Sequence, residues 1–270
     1  MSKKIVSLCL LASLTVSLFG CSANEDQKVK EKKEEKPVEF YLVRHGKTML
    51  NTTDRVQGWA DAPLTKDGVE VAEYLGKGLK EVKFEKAYSS DSGRAIETAK
   101  IVLDQSGNKD MNINQSKNLR EVCFGEFEGE LNHTFREKLA QANNMSHEEF
   151  MNNFDIDIMQ KTAAKIDKSK QAEDTETVTK RMKNEVDKIA KEVAEDGGGE
   201  VLVVSHGISL MDLLYSISPE SLNEVEEGLG NASVSKVVYK DGKYKVQSVN
   251  DMSYVEKGKS KLIKSQKCWR

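Results

Sequence analysis

The chain has 270 residues, of which 38% are hydrophobic and 31% charged, and its formal net charge at pH 7 is −3. The negative charge, without a basic stripe that carries interleaved aromatic residues, argues against nucleic acid as a partner. The length and the apolar content suffice for one α/β domain with a sizeable core.

The first 20 residues predict an export signal. A basic front end precedes an apolar run from Ile5 to Phe19, which is too short to span a bilayer comfortably. The sequence Leu18-Phe19-Gly20-Cys21 resembles the bacterial lipobox, in which the cysteine is diacylated and becomes the first residue of the mature protein. Two acyl chains suffice for stable anchoring. We therefore expect lipid anchoring through Cys21 on the extracytoplasmic face of a bacterial cell membrane, most simply that of a Gram-positive cell; ordinary secretion is the alternative.

The segment after Cys21 predicts a tether. Residues 21–37 are almost entirely polar and mix glutamates with lysines, which is typical of a disordered spacer. We expect a folded domain over 38–250 and a carboxyl-terminal tail over 251–270. Cys123 and Cys268 remain in the mature chain, and their bonding cannot be deduced from sequence. No metal-ligand spacing is present, so a metal site is not expected.

The first chemical motif follows a predicted strand. The apolar run Phe40–Val43 is followed at once by Arg44, His45 and Gly46. Such a run predicts a buried strand with a tight turn at its carboxyl end, which is where ligands bind in open α/β sheets. A histidine can be neutral and nucleophilic near pH 7, and an arginine presents a planar set of donors to an oxyanion. The pairing favours phosphate chemistry on His45.

A second motif far downstream repeats this design. The apolar run Val201–Val204 is followed by Ser205, His206 and Gly207. Because the chain has only four histidines, two His-Gly pairs at predicted strand ends argue against coincidence. They strengthen the phosphate hypothesis over the alternative of a strand-end histidine satisfied by ordinary hydrogen bonds.

The residues between and around these motifs predict alternating helices and strands. The predicted elements are helices over 66–80, from near Arg94, over 174–195 and over 209–216, strands over 84–89 and 111–114, and a hairpin of 232–239 with 244–249 around Asp241-Gly242. Gly76 and Gly78 are expected to weaken the first of these helices locally. Arg94 would lie in a first helical turn directly after a strand, where the helix dipole favours an anion. Taken alone, a solvated surface arginine is the commoner case.

The segment 131–170, called the lid below, is polar and helical in pattern. We expect it to be an inserted helical lid rather than core. His133 and His147 have polar neighbours and are expected to face solvent. The lid matches no pattern that names a substrate. The basic tail after Tyr254 is expected to be frayed.

With Arg44-His45-Gly46, Arg94, Glu121 and His206-Gly207 in this order, the sequence resembles the histidine phosphatase superfamily, over about 38–250. The longer motifs that carry the resemblance are Arg44-His45-Gly46-x-Thr48-x-x-Asn51, Gln57-Gly58-x-x-Asp61-x-Pro63-Leu64-Thr65-x-x-Gly68, Arg94-Ala95-x-x-Thr98-Ala99 and Ser205-His206-Gly207. The resemblance implies an α/β fold, namely a phosphoglycerate mutase-like three-layer sandwich with a mostly parallel central sheet and an inserted helical lid.

The resemblance also implies a mechanism. His45 would attack the substrate phosphorus and become phosphohistidine, which water would hydrolyse. Arg44, Arg94 and His206 would hold the phosphoryl oxygens and neutralise their charge. Glu121 would protonate the leaving oxygen and then activate water.

Further residues are expected at the substrate, and no cofactor or metal is implied. The expected substrate-binding residues are Asn51, Thr48, Gln57, Gly58 and Gly207. The expected partner is a phosphorylated small molecule.

The main fork within the superfamily is between phosphatase and mutase. The sequence Leu119-x-Glu121-x-x-Phe124-Gly125-x-Phe127-Glu128-Gly129 resembles the phosphatase branch, whereas the mutases typically carry Glu-Arg-His-Tyr-Gly here. An exported protein would also lack the cytosolic bisphosphoglycerate that primes such mutases. The sequence therefore favours an extracytoplasmic, metal-independent histidine acid-type phosphatase that hydrolyses a phosphomonoester. The alternatives are mutase-type phosphoryl transfer and a non-catalytic lipoprotein that binds phosphorylated ligands.

Overall fold

The computed structural model describes residues 36–225 and 228–267. The expectations for the export signal, for Cys21 and nearly all of the tether, and for Cys268 lie outside these residues. Within them, no helix is both long and apolar enough to cross a membrane.

Strands and helices alternate along most of the described chain. The strands are β1 (Val38–Arg44), β2 (Phe84–Ser90), β3 (Ile113–Ser116), β4 (Gly199–Ser205), β5 (Val234–Lys240) and β6 (Lys243–Asp251). The helices are α1 (Met49–Thr52), α2 (Lys66–Gly78), α3 (Gly93–Ser106), α4 (Asn132–Ala142), α5 (His147–Asn152), α6 (Ile156–Ile166), α7 (Thr175–Glu195), α8 (Gly207–Ile217) and α9 (Ser253–Lys267). The predicted elements are thus confirmed, with small shifts of their ends.

The central sheet has six strands in the order β3-β2-β4-β1-β5-β6. Strands β1 to β4 pair in parallel, whereas β5 and β6 add an antiparallel edge. The β5–β6 hairpin turns at Asp241 and Gly242, which both have positive φ angles as a tight hairpin turn requires. The mostly parallel α/β sheet expected from the sequence is confirmed.

The pairing of β1 with β4 brings the two histidine motifs together. These strands lie side by side, and their register places Arg44 opposite Ser205. Both strands therefore end at the same edge of the sheet, and His45 and His206 become neighbours immediately beyond it.

Side chains of each strand alternate between two cores, which gives the sandwich its three layers. On β1, Phe40 and Leu42 enter the cluster that contains α7, α8 and the lid. Tyr41 and Val43 enter the cluster formed with α2, α3 and α9. A parallel sheet covered on both faces requires such continuous apolar strands, and this is why the two strands carry uninterrupted apolar runs.

The lid is helical, as expected, and consists of α4, α5 and α6. The expectation that it stands apart from the core is wrong, because the lid side chains Phe135, Leu139 and Phe150 are buried in the same cluster as α7 and α8. The periodic spacing of these few apolar residues was outweighed in the sequence by their many polar neighbours. His133 is exposed, whereas His147 is half-buried with its ring centroid 4.8 Å from that of His133.

The expectation of a frayed tail is wrong, because α9 packs on α2. The helices approach closely through glycines: a Cβ at Gly78 would overlap the carbonyl of Tyr254, and one at Gly258 would overlap the carbonyl of Tyr74. Gly78, which would weaken α2 in isolation, therefore serves this contact, and Gly76 serves the contact with α3, because a Cβ there would overlap the side chain of Gln105. Val255 is buried in the contact between α2 and α9.

Candidate active site

His45 lies directly after β1 and is 3% exposed. Its Nδ1 is 2.7 Å from the carbonyl oxygen of Gly46. Because a carbonyl can only accept, Nδ1 carries the proton and Nε2 keeps its lone pair. Burial, and then the charges of Arg94 and Arg44, hold the pKa of His45 well below its usual value. The imidazole is therefore neutral at pH 7 and can act as a nucleophile through Nε2.

His206 lies at the amino terminus of α8, fully buried, with its ring centroid 5.2 Å from that of His45. Burial, followed by the charges of Arg94 and of His45, holds its pKa well below the usual value. Neither ring nitrogen has a hydrogen-bond partner among the described residues. A buried polar group without a partner is costly, so this ring is prepared for a ligand.

Two guanidinium groups lie close to these rings. Arg94, in the first turn of α3, is fully buried, and Arg44 is half-buried and donates to the carbonyl of Leu229. Burial lowers the pKa of both groups, and the nearby Glu121 carboxylate opposes this. In the part of the chain that the structure describes, the Nε atoms of Arg44 and Arg94 are buried without partners. These donors, together with the ring N–H of His206, form a pocket suited to an anion.

A loop over 57–61 fixes the orientation of Arg94. Its guanidinium donates to the carbonyl oxygens of Gly58 at 2.7 Å and Ala60 at 3.0 Å, and to Asp61 Oδ1 at 2.9 Å. Asp61 also accepts from the backbone N–H of Gly93 at the start of α3. With both Nη atoms held in this way, the direction of the unpartnered Nε is set in advance.

Glu128 holds that loop from behind. Its carboxylate accepts from the backbone N–H groups of Gly58, Trp59, Ala60 and Phe124, at 2.8 to 3.0 Å. The carboxylate thus fixes the peptide group between Gly58 and Trp59, whose carbonyl binds Arg94, and the Ala60 N–H next to the second carbonyl.

The side-chain carboxylate of Glu121 lies at the amino terminus of α8. Its Oε1 accepts from the N–H groups of Val122 at 3.0 Å and Ser209 at 2.8 Å, and its Oε2 accepts from Ile208 at 3.1 Å. Its backbone is held as well, because Arg181 donates from α7 to the carbonyl oxygen of Glu121. Glu173 in turn pairs with Arg181 at 2.8 Å.

The residues expected at the substrate fall into two groups. Asn51, Gln57 and Gly207 line a cavity that leads away from the reacting groups, and Nε2 of Gln57 is another buried donor without a partner among the described residues. Thr48 and Gly58 do not line the cavity, and they support residues that do. The Thr48 hydroxyl caps α1 and donates to Gln57 Oε1 at 2.6 Å, while a Cβ at Gly58 would overlap the carbonyl of Val122.

The cavity has a volume of about 1110 Å³ and lies between the lid, α8 and the loop around Leu229. It reaches the catalytic cluster at Arg44, Gln57, Glu121 and Gly207. His45 and His206 directly adjoin Arg44 and Gly207 in the chain at this end, and Arg94 is buried near them. A substrate with a large leaving group can therefore occupy the cavity with its phosphate at the buried donors.

Most of the described chain matches a known protein family. The family model described as "Histidine phosphatase superfamily (branch 1)" matches residues 40–252. The chain belongs to this superfamily. Members of the superfamily are phosphoryl-transfer enzymes, and the neutral buried histidine next to unpaired cationic donors is in keeping with that chemistry.

Three relatives illustrate the range of similarity within the superfamily. The crystal structure of a phosphoglycerate mutase from Bacillus anthracis str. Sterne is 48% identical, with a TM-score of 0.79 over 84% of this chain and 99% of that one. The structure of Bacillus stearothermophilus YhfR is 30% identical, with a TM-score of 0.65 over 81% of this chain and 99% of that one. A 2,3-bisphosphoglycerate-dependent phosphoglycerate mutase from Parvibaculum lavamentivorans is 36% identical over 102 residues, which are 37% of this chain and 49% of that protein. The match thus spans about half the length of this curated relative.

Several supporting residues of this histidine phosphatase site were not assigned a role from the sequence. Asp61 and Glu128 stand within the quoted motifs, so their positions were visible although their function was not. Asn231 donates to the carbonyl of His45 at 3.0 Å, and Asp212 is a buried carboxylate on the cavity wall. The sequence around Asn231 and Asp212 gave no indication that either residue lies at the site.

Proposed function

We propose that the protein is a phosphatase that hydrolyses a phosphomonoester through a phosphohistidine on His45. The observation that carries this proposal is the bond between His45 Nδ1 and the Gly46 carbonyl, which leaves Nε2 as the one basic atom of a neutral ring. Around it lie the unpartnered donors of Arg44, Arg94 and His206. A nucleophile surrounded by fixed donors for an anion is the arrangement that phosphoryl transfer requires.

The proposed reaction has two steps. His45 Nε2 forms a bond to phosphorus while the ester oxygen leaves, taking its electron pair and a proton from the protonated carboxyl of Glu121. Water then attacks the phosphohistidine, loses a proton to the Glu121 carboxylate, and inorganic phosphate leaves with Nε2 restored. Both arginines and His206 hold the equatorial oxygens throughout.

Hydrolysis, rather than transfer between two positions of a phosphoglycerate, is supported by the cavity. Its buried wall beyond the reacting groups consists of Val56, Phe124, Phe135, Met159, Leu229 and Asp212. Two further arginines line the cavity, Arg55 and Arg136, but neither is buried. Among the described residues, a second phosphate group would therefore find no buried cationic partner beyond the reacting groups. The sequence Glu121-Val122-Cys123-Phe124-Gly125 also differs from the Glu-Arg-His-Tyr-Gly typical of mutases.

Mutase activity is the second candidate, because the 48% identical Bacillus anthracis protein carries that name. The two are separated by incubating the purified full-length chain with p-nitrophenyl phosphate, and separately with 3-phosphoglycerate and catalytic 2,3-bisphosphoglycerate. We expect chelator-insensitive release of inorganic phosphate and no 2-phosphoglycerate. Efficient isomerisation with little phosphate release would establish the mutase instead, and binding without turnover of either substrate would support a phospho-ligand binding protein.

We further propose that the enzyme acts outside the cytoplasm, held by acyl chains on Cys21. The support is the lipobox-like Leu18-Phe19-Gly20-Cys21 and the polar spacer that follows it. Cys21→Ser should leave the precursor unprocessed or release a cut form from the membrane fraction. Recovery of the variant in the detergent phase at the mature size would refute the anchor.

A further inference from the structure

The cavity carries one buried charged group that the proposed reaction does not use. Asp212, on α8, is 6% exposed and lies on the cavity wall. Ser209, whose N–H binds the Glu121 carboxylate, precedes it by three residues on the same helix. At about 1.5 Å per residue, Asp212 lies about 5 Å further along α8 from the reacting end.

The lid holds this carboxylate in a fixed orientation. Gln160 on α6 is fully buried, and its Nε2 lies 3.1 and 3.0 Å from the two carboxylate oxygens of Asp212. A carboxylate can accept about four hydrogen bonds, so acceptor capacity remains. Gln160 Oε1 is a second buried acceptor, without a partner in the described part of the chain.

Asp212 also lacks a counter-charge. Among the described residues, no lysine, arginine or histidine nitrogen lies within 4.0 Å of its carboxylate. The charged groups that influence it are Glu121 and Asp157, which are negative, and Arg181, which is positive and already bound to Glu173. Burial, only partly offset by the Gln160 bond, raises the pKa of Asp212 to about 7.

We propose that Asp212 is a specificity-determining residue that binds an ammonium group on the leaving portion of the substrate. This inference rests on the proposed function. Arg44 lines the cavity at the reacting end and Asp212 lines it further along α8, and the rest of its buried lining apart from Glu121 is apolar, so the geometry fits a phosphate and an amine joined by a short apolar spacer. An ammonium supplies both the missing hydrogen bonds and the missing charge, whereas a hydroxyl supplies only the former.

Binding of non-hydrolysable phosphonates tests this without turnover. The dissociation constants of ω-aminoalkyl phosphonates with two to six carbons are measured by calorimetry on the purified full-length chain. Each is compared with the alkyl phosphonate that carries a methyl group in place of the ammonium. We expect the amine to bind about 10- to 100-fold more tightly at one or two chain lengths, the range of a charge-assisted hydrogen bond.

Three variants make the test specific. Asp212→Asn should abolish the preference for the amine while the alkyl phosphonates still bind, and Gln160→Met should reduce it. Asp157→Asn is the matched control, because it removes a carboxylate at the same cavity that is already paired with Lys161 at 2.7 Å, and it should keep the preference. Circular dichroism and a retained affinity for alkyl phosphonates show that each variant is folded.

The outcomes separate this inference from the proposed function. Equal binding of amine and alkyl compounds at every length, or a preference that survives Asp212→Asn, overturns the ammonium site and leaves the phosphatase proposal intact. An equal loss in Asp157→Asn and Asp212→Asn overturns it as well, because the preference would then arise from general charge. Failure of all phosphonates to bind removes the phosphate site and, with it, both proposals.

Discussion

Glu121 is the residue on which the order of proton transfers depends. In the structure its carboxylate accepts two backbone N–H bonds at the start of α8 and one from Val122, which is also what a helix cap alone would do. The same carboxylate lies on the cavity wall, where a leaving oxygen would be. The two roles, helix cap and general acid, predict different losses of rate on different leaving groups when Glu121 is replaced.

We expect Glu121→Gln to slow phosphorylation of the enzyme by an alkyl phosphate about 10²- to 10⁴-fold, the usual value of general acid catalysis. With p-nitrophenyl phosphate the loss should be much smaller, because the leaving group departs as a stabilised anion. Rapid quench measurements isolate this step from dephosphorylation. Equal losses on both substrates would make Glu121 purely structural.

Glu128 offers a test of how Arg94 is positioned. We expect Glu128→Gln to lower kcat/KM about 100-fold, because the loop whose carbonyls hold Arg94 loses its anchor and small displacements are costly in catalysis. Glu126→Gln, an exposed glutamate of the same turn, should have no such effect. Combined with Arg94→Ala, the Glu128 variant should cost little more than Arg94→Ala alone. Additive losses in that cycle would mean that Glu128 acts elsewhere.

The raised pKa of Asp212 makes the free energy of unfolding depend on pH. The folded protein keeps its proton up to about pH 7, whereas the unfolded chain releases it near pH 4. The contribution of Asp212 to the free energy of unfolding is therefore greatest below pH 4 and is lost as the pH rises to about 7. Urea titrations should show Asp212→Asn gaining up to about 4 kcal/mol relative to the wild type between pH 4 and pH 8. A difference that does not change with pH would show that the carboxylate titrates normally.

At the scale of elements, the contact between α2 and α9 gives a prediction whose sign is informative. Helix propensity alone predicts that Gly78→Ala stabilises α2 by about 1 kcal/mol. We expect destabilisation by about 1 to 3 kcal/mol instead, because the added Cβ overlaps the Tyr254 carbonyl. Lys77→Ala, one residue earlier, is the control and should be near neutral. Thermal unfolding that shows a more stable Gly78→Ala protein would contradict the close packing of α9.

The same contact explains what local patterns could not predict. The run after Tyr254 is basic and carries few apolar residues, so nothing local indicated that α9 would pack. Its stability comes from a partner helix almost 180 residues away, at positions where both helices use glycine. The prediction that the lid lies outside the core was wrong for a related reason, because Phe135 and Phe150 are isolated among polar neighbours although both are buried.

At the scale of the whole molecule, the sheet and the reacting residues could be predicted because they depend on short-range signals. The apolar runs before His45 and His206 identify two buried strands that each end in a histidine. The residues that hold the reacting groups in place could not be predicted, since Asn231 and Arg181 donate hydrogen bonds to backbone carbonyls of residues that are far away in sequence. The pairing of β1 with β4 in register is what converts the two local motifs into one site.

The formation of phosphohistidine on His45 tests the central claim most directly. The full-length chain is mixed briefly with a ³²P-labelled phosphomonoester, quenched in alkali, and digested for mass spectrometry. We predict one labelled site, at His45, with phosphate that is labile to acid and stable to alkali, and no label in His45→Ala. Label that persists in His45→Ala, or that lies on a serine or an aspartate, would contradict the account.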